Sequence, residues 1–194
     1  GSRFITGTSV AKTFSNLIHV RAFVGSFTLQ DSMIITGAFF VQNGTFDSNG
    51  FDVTVSTFNS PNTPSRTITM GGSTFFLTST GSCWAISSLG TLTLNVGTST
   101  IKYTNSSSSA KSFSGQSLTY YNLWFSPGSG TGTLSVSGSN TFNELKDDGS
   151  ASHTLDFFNT STQTIAKWRV TGNNGNNITI TSSSGSTLAH NLVK

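Results

Sequence analysis

Apolar and small polar residues alternate at every second position through most of this chain, and only an extended backbone uses that period. The pattern is clear in Thr91-Leu92-Thr93-Leu94-Asn95-Val96, Gly132-Thr133-Leu134-Ser135-Val136-Ser137 and Asn177-Ile178-Thr179-Ile180-Thr181. Successive strand side chains point to opposite faces, so each run carries one apolar face and one lined with Ser, Thr and Asn. No stretch repeats apolar residues at helical spacing, which predicts helix in fewer than about a tenth of the residues. The expected fold class is all-β.

Composition bounds the alternatives. About a third of the 194 residues are Ser or Thr, 34 % are hydrophobic and 9 % are charged, with a net charge of +3. Sixteen Phe residues offset the thin hydrophobic content, since each buried aromatic removes roughly 150–250 Å² from water. Aromatic and β-branched content with little net charge argues against intrinsic disorder. Lys and Arg are scattered along the sequence, which predicts no nucleic-acid partner. The single Cys83 excludes an internal disulfide framework and reads as a small buried hydrophobe in a strand. No run of 18 apolar residues occurs, so no membrane insertion by a helix is expected. Gly1-Ser2 reads as a cloning remnant, which makes residues 1–194 one segment of a larger protein.

Turn signals such as Asn43-Gly44, Asn49-Gly50, Gly71-Gly72, Asp148-Gly149 and Asn173-Asn174-Gly175 separate runs of four to eight residues with strand character. Self-similarity points to a solenoid. Thr13-Phe14-Ser15-Asn16-Leu17 matches Thr141-Phe142-Asn143-Glu144-Leu145, with Thr119-Tyr120-Tyr121-Asn122-Leu123 as a looser copy. On this reading Phe14 and Phe142 occupy equivalent buried positions in different coils, as do Leu17 and Leu145. Leu94, Leu123, Leu145 and Trp168 mark successive coils. Gly72-Ser73-Thr74-Phe75 corresponds to Gly97-Thr98-Ser99-Thr100-Ile101, and Thr-x-Thr words recur as in Arg66-Thr67-Ile68-Thr69-Met70. The expected architecture is a parallel β-solenoid (β-helix), with an antiparallel β-sandwich as the alternative. Scarce charge fits the solenoid, because like charges about 4.8 Å apart up a ladder repel.

The runs Asn43-Gly44-Thr45-Phe46-Asp47-Ser48-Asn49-Gly50-Phe51, Arg66 to Ser73 and Ser137 to Leu145 resemble the degenerate repeats of large Gly/Ser/Thr-rich proteins. Such proteins belong to bacteriophage virions and the surfaces of environmental bacteria. The resemblance implies a virion or extracellular location, a fibrous appendage with a β-solenoid body, other fibre subunits (a homo-oligomer among them) as partners, and no catalytic motif.

Residues that could carry chemistry are few. Glu144, Asp147, Asp148 and Asp156 are the one concentration of acids; Asp147-Asp148-Gly149-Ser150 reads as a turn, and falls short of the six to eight oxygens of a calcium site. His19, His153 and His190 have no metal-ligand spacing. No catalytic residue, metal or cofactor is expected. The leading binding candidate is Tyr120-Tyr121-Asn122-Leu123-Trp124-Phe125. Alternation puts Tyr121, Leu123 and Phe125 inward and Tyr120, Asn122 and Trp124 outward, as a sugar-stacking platform. Trp168 is a second such residue, and both Trp have core packing as the alternative. Binding through these aromatics would depend weakly on salt. The functional expectation is a non-enzymatic structural or attachment segment of a phage fibre or bacterial surface appendage, with a cell-surface glycan as ligand. Its rivals are a carbohydrate-binding module or polysaccharide depolymerase, and a self-assembling or capsid-decorating subunit.

Overall fold

The computed structural model describes residues 11–15, 18–61, 64–87 and 89–183. Among them there is no helix. The strands in order are β1 (Lys12–Phe14), β2 (Ile18–Thr28), β3 (Met33–Asp47), β4 (Val53–Ser60), β5 (Arg66–Thr69) and β6 (Thr74–Leu77). Next come β7 (Gly81–Ile86), β8 (Leu92–Asn95), β9 (Thr100–Tyr103), β10 (Lys111–Ser114) and β11 (Thr119–Phe125). The last five are β12 (Leu134–Ser137), β13 (Thr141–Asp147), β14 (His153–Phe157), β15 (Thr164–Val170) and β16 (Ile178–Ser182).

Every pairing between these strands is parallel. The chain winds about seven turns as a β-solenoid, and the antiparallel sandwich is ruled out. The long β3 shows one full coil: residues 33–35 pair with β1 and β4, residues 39–40 with β2 and β4, and residues 45–47 with β2 and β5. The coil therefore has three faces. The first continues through β4, β6, β9, β11, β13 and β15, and the second through β4, β7, β10, β12, β14 and β16. The third runs through β5 to β8.

Along the first face, Met33, Val53, Phe75, Ile101, Leu123, Leu145 and Trp168 stand in one inward column, 20 to 26 residues apart. The steps from Leu123 to Leu145 and Trp168 are those expected from the sequence. Leu94 is not in this column. It pairs with Ile68 on the third face, and Ile101 takes the place assigned to it. Phe14 and Phe142 likewise occupy different columns. Phe14 heads the column Ile35, Val55, Leu77, Tyr103, Phe125, Asp147, Val170, whereas Phe142 stacks between Tyr120 and Ile165. The shared Thr-Phe word reflects strand chemistry in that instance, not register. Leu17 lies outside the described residues.

The core is held by aromatic stacking on the second face. Phe39, Phe58, Trp84 and Phe113 follow one another in register. Trp84 lies 4.3 Å from Phe58 at 14° and 6.3 Å from Phe113 at 10°, and all four rings are fully buried. Corners stack as well. Gly71 and Gly97 have φ of 55° and 56°, the left-handed region that disfavours a Cβ. Thr98 N donates to Gly71 O (2.8 Å), and a Cβ on Gly97 would collide with that same carbonyl.

Replacing Trp84 with Ala should cost about 3–5 kcal/mol, the range for a large buried aromatic. Chemical denaturation would measure it, and a loss under about 1 kcal/mol would contradict the stacked core.

Candidate functional site

The outward side of the first face, over β9, β11, β13 and β15, gathers most of the chemistry available to solvent. Its central column reads Phe76, Lys102, Trp124, Lys146, Arg169. Beside it run Thr74, Thr100, Asn122, Glu144 and Lys167. Stacking rungs at about 4.8 Å brings each side chain over its neighbour. Lys102 Nζ therefore sits 3.4 Å from the centre of the Trp124 ring system, and Lys146 Nζ lies 3.7 Å from it. Both are within cation–π range, and the indole separates two ammonium groups that would otherwise repel. Lys146 also reaches Asp148 at 3.1 Å, and Arg169 Nε lies 3.5 Å from Glu144 Oε2. Asn122 Nδ2 donates to Thr100 Oγ1 (3.2 Å), and its Oδ1 accepts from Asn143 Nδ2 (3.1 Å).

The four sequence candidates do not form one platform. Asn122 and Trp124 share the outward face as expected, but the Lys102 and Lys146 ammonium groups cover Trp124, which leaves no open indole face for a sugar. Tyr120 is not outward. It is 2 % exposed, its hydroxyl donates to Gly115 O (3.0 Å), and its ring meets Trp84, Phe113 and Phe142. The physical reason is a corner. Tyr120 pairs with Phe142 and Asn122 with Glu144, while Tyr121 has no register partner. One unpaired residue reverses the parity of everything before it. Trp168 lies in the inward column after Leu145, half-buried beside Phe157 with ring centres 6.2 Å apart. It packs on the core.

The four acids are dispersed. Glu144 and Asp148 belong to the cationic face, and Asp156 accepts from Thr181 and Ser183 on the second face. Asp147 is fully buried with His153. Its Oδ2 and Oδ1 lie 2.8 and 3.0 Å from His153 Nε2, and His153 Nδ1 donates to Ala151 O (2.7 Å). The expected turn is present, with Gly149 N donating to Asp147 Oδ1 (3.1 Å), and a Cβ on Gly149 would strike the imidazole. Burial pushes the Asp147 carboxyl above its ordinary range, although His153 and Gly149 N pull it down. Pair and turn together close the corner between β13 and β14. The missed signal was available: aligning Thr141 with Thr119 sets Asp147 where Phe125 stands, a carboxyl in an aromatic column.

Two further buried cations close corners. Lys111 Nζ donates to Ser107 O (2.7 Å) and Ser109 O (2.9 Å), and Arg66 donates to Ser60 and Pro64. Burial lowers both pKa values. Cys83 is buried in β7, as the sequence suggests. Burial pushes its thiol up to about 11, against the opposing charge of Lys111, so it is a poor nucleophile. Among the described residues, no three His, Cys, Asp or Glu side chains gather in a way that could hold a metal ion. No protein-family model matches this chain, and no curated protein or solved structure matches it either.

Two predictions follow from this geometry. Trp124→Ala should destabilise the fold by about 1–2 kcal/mol, from two cation–π contacts of about 0.5–1 kcal/mol each. Trp124→Phe, which keeps a π face for both lysines, should lose less, and equal melting temperatures for the two variants would dismiss the sandwich as a stabilising element. For Asp147, a raised folded pKa means a stabilising contribution present below the unfolded value of about 3.9 and lost as pH rises through the folded value. The stability of wild type relative to Asp147→Asn should therefore fall as pH increases from about 4, as read from urea unfolding across pH. A difference independent of pH would show that Asp147 titrates alike in both states.

Proposed function

We propose that this chain is a non-enzymatic segment of a virion fibre or bacterial surface appendage, serving rigid extension and attachment outside the cell. The observation that carries this reading is the parallel ladder that continues along the first and second faces. Each rung contacts the rungs before and after it, so the body has a long axis and a side wall. The resemblance of the Gly/Ser/Thr-rich repeats to those of phage and surface proteins points the same way. Asp147 is buried against His153 and Asp156 lies on the second face, while Glu144 and Asp148 are each paired with a cation, Arg169 and Lys146. This supports a non-hydrolytic role, since glycoside hydrolysis needs one carboxyl protonated and one ionised, about 5 to 9.5 Å apart across one bond. A second reading, assembly on another subunit, draws on the last described rung. There Ile165, Trp168, Val170, Ile178 and Ile180 are only partly buried, while their predecessors in the same columns are covered.

Incubating the purified chain with bacterial surface polysaccharides tests both parts of the first reading. The expected outcome is retention of polymer without release of reducing ends. Sustained release, abolished by Asp148→Asn or Glu144→Gln, would replace it with a depolymerase.

A further inference from the structure

Cationic side chains are distributed unevenly around the solenoid. Among those whose placement is described, Arg66 and Lys111 are buried, and five others reach solvent. Four of the five, Lys102, Lys146, Lys167 and Arg169, stand on the outward side of β9, β13 and β15. The second face of the same coils instead presents Ser112, Ser114, Ser135 and Ser137, with Asp156 as its acid. Lys102, Lys146 and Arg169 share one column, so their charges lie along the solenoid axis over four rungs, three spacings of about 4.8 Å or about 14 Å in all. Lys102 and Lys146 are already docked on the Trp124 ring, a contact that lowers the ordering cost of binding. The Arg169 side chain is 65 % exposed, and Lys167 is exposed beside it.

We propose that this column is a docking surface for a linear acidic polysaccharide, a polymer with carboxylates of the uronate type, lying along the axis. The proposal rests on the attachment reading and names its ligand chemistry. Glu144 and Asp148 on the same face reduce four positive charges to a net two, which suits a polymer of low charge density. A nucleic-acid duplex carries one negative charge per about 1.7 Å, far denser than this face can match. Single strands are bound through open aromatic faces, and both faces of Trp124 are taken. The ligand is held by charge along a rail, not by ring stacking, so its affinity falls with salt, where binding through the aromatics would depend on it weakly.

The test is retention of the intact chain on immobilised alginate, with dextran as the neutral polymer and duplex DNA as the competing polyanion. Wild type should be held on alginate at about 20 mM salt and released by about 500 mM, where the Debye length has shrunk to a few ångströms. The quadruple variant K102Q/K146Q/K167Q/R169Q should bind on the order of tenfold more weakly, and Lys12→Gln, on β1 four rungs away from Lys102, should match wild type. Because the quadruple variant alters the Trp124 sandwich, K167Q/R169Q supplies a pair that leaves it intact; a partial loss of about threefold is expected from it. Undiminished binding by both variants would overturn the proposal, as would tighter retention on DNA. Equal retention on dextran and alginate would overturn the acidic assignment while leaving attachment to glycans standing.

Discussion

Vertical stacking of like positions is the constraint on which the rest of this molecule depends. In a parallel in-register ladder each side chain meets its own counterpart one rung away, at about 4.8 Å, so a column must tolerate itself. Aromatic rings do so edge to face, as Phe39 and Phe58 show, or by stacking, as Phe58, Trp84 and Phe113 show. Hydroxyls do so by bonding up the ladder, as Ser137 does with Ser114. Like charges need help: an indole stands between Lys102 and Lys146, and where Lys146 and Arg169 stack directly each is paired with a carboxylate, Asp148 and Glu144.

The same constraint leaves corners as the places where polar groups enter the interior. A corner carries backbone carbonyls and amides that the ladder cannot satisfy. Arg66, Lys111 and the Asp147–His153 pair each turn inward at such a point and bond to local carbonyls or amides. Each substitutes for an apolar residue in its column at the cost of desolvation, and the hydrogen bonds offset that cost. In composition these groups resemble the ingredients of an active site, and here they bond to the backbone of the corners.

The strands and their inward faces were legible in the sequence because alternation survives wherever a strand is straight. Phe75 with Ile101, and Phe142 with Tyr120, could be paired from repeated words alone. Columns were harder. Leu94 was misplaced because coil length varies, and the variation lies in corners that leave no periodic trace. Tyr120 was misplaced for a related reason: parity carries from Phe125 back to Asn122 and then breaks at Tyr121. The Lys102–Trp124–Lys146 sandwich was invisible in sequence, where its members are 22 residues apart and only register brings them together. Asp147 was the opposite case, a visible violation of an aromatic column that composition alone reads as a turn.

The corner residues Tyr121, Asn143 and Ala166, which the ladder register skips, have an evolutionary consequence. Insertion or deletion inside a strand inverts every later side chain, whereas the corner takes up an odd residue without disturbing either flanking column. Length variation in such a chain is therefore channelled into its edges. Successive coils can drift in size, acquire loops and diverge in surface chemistry while their core columns stay aligned.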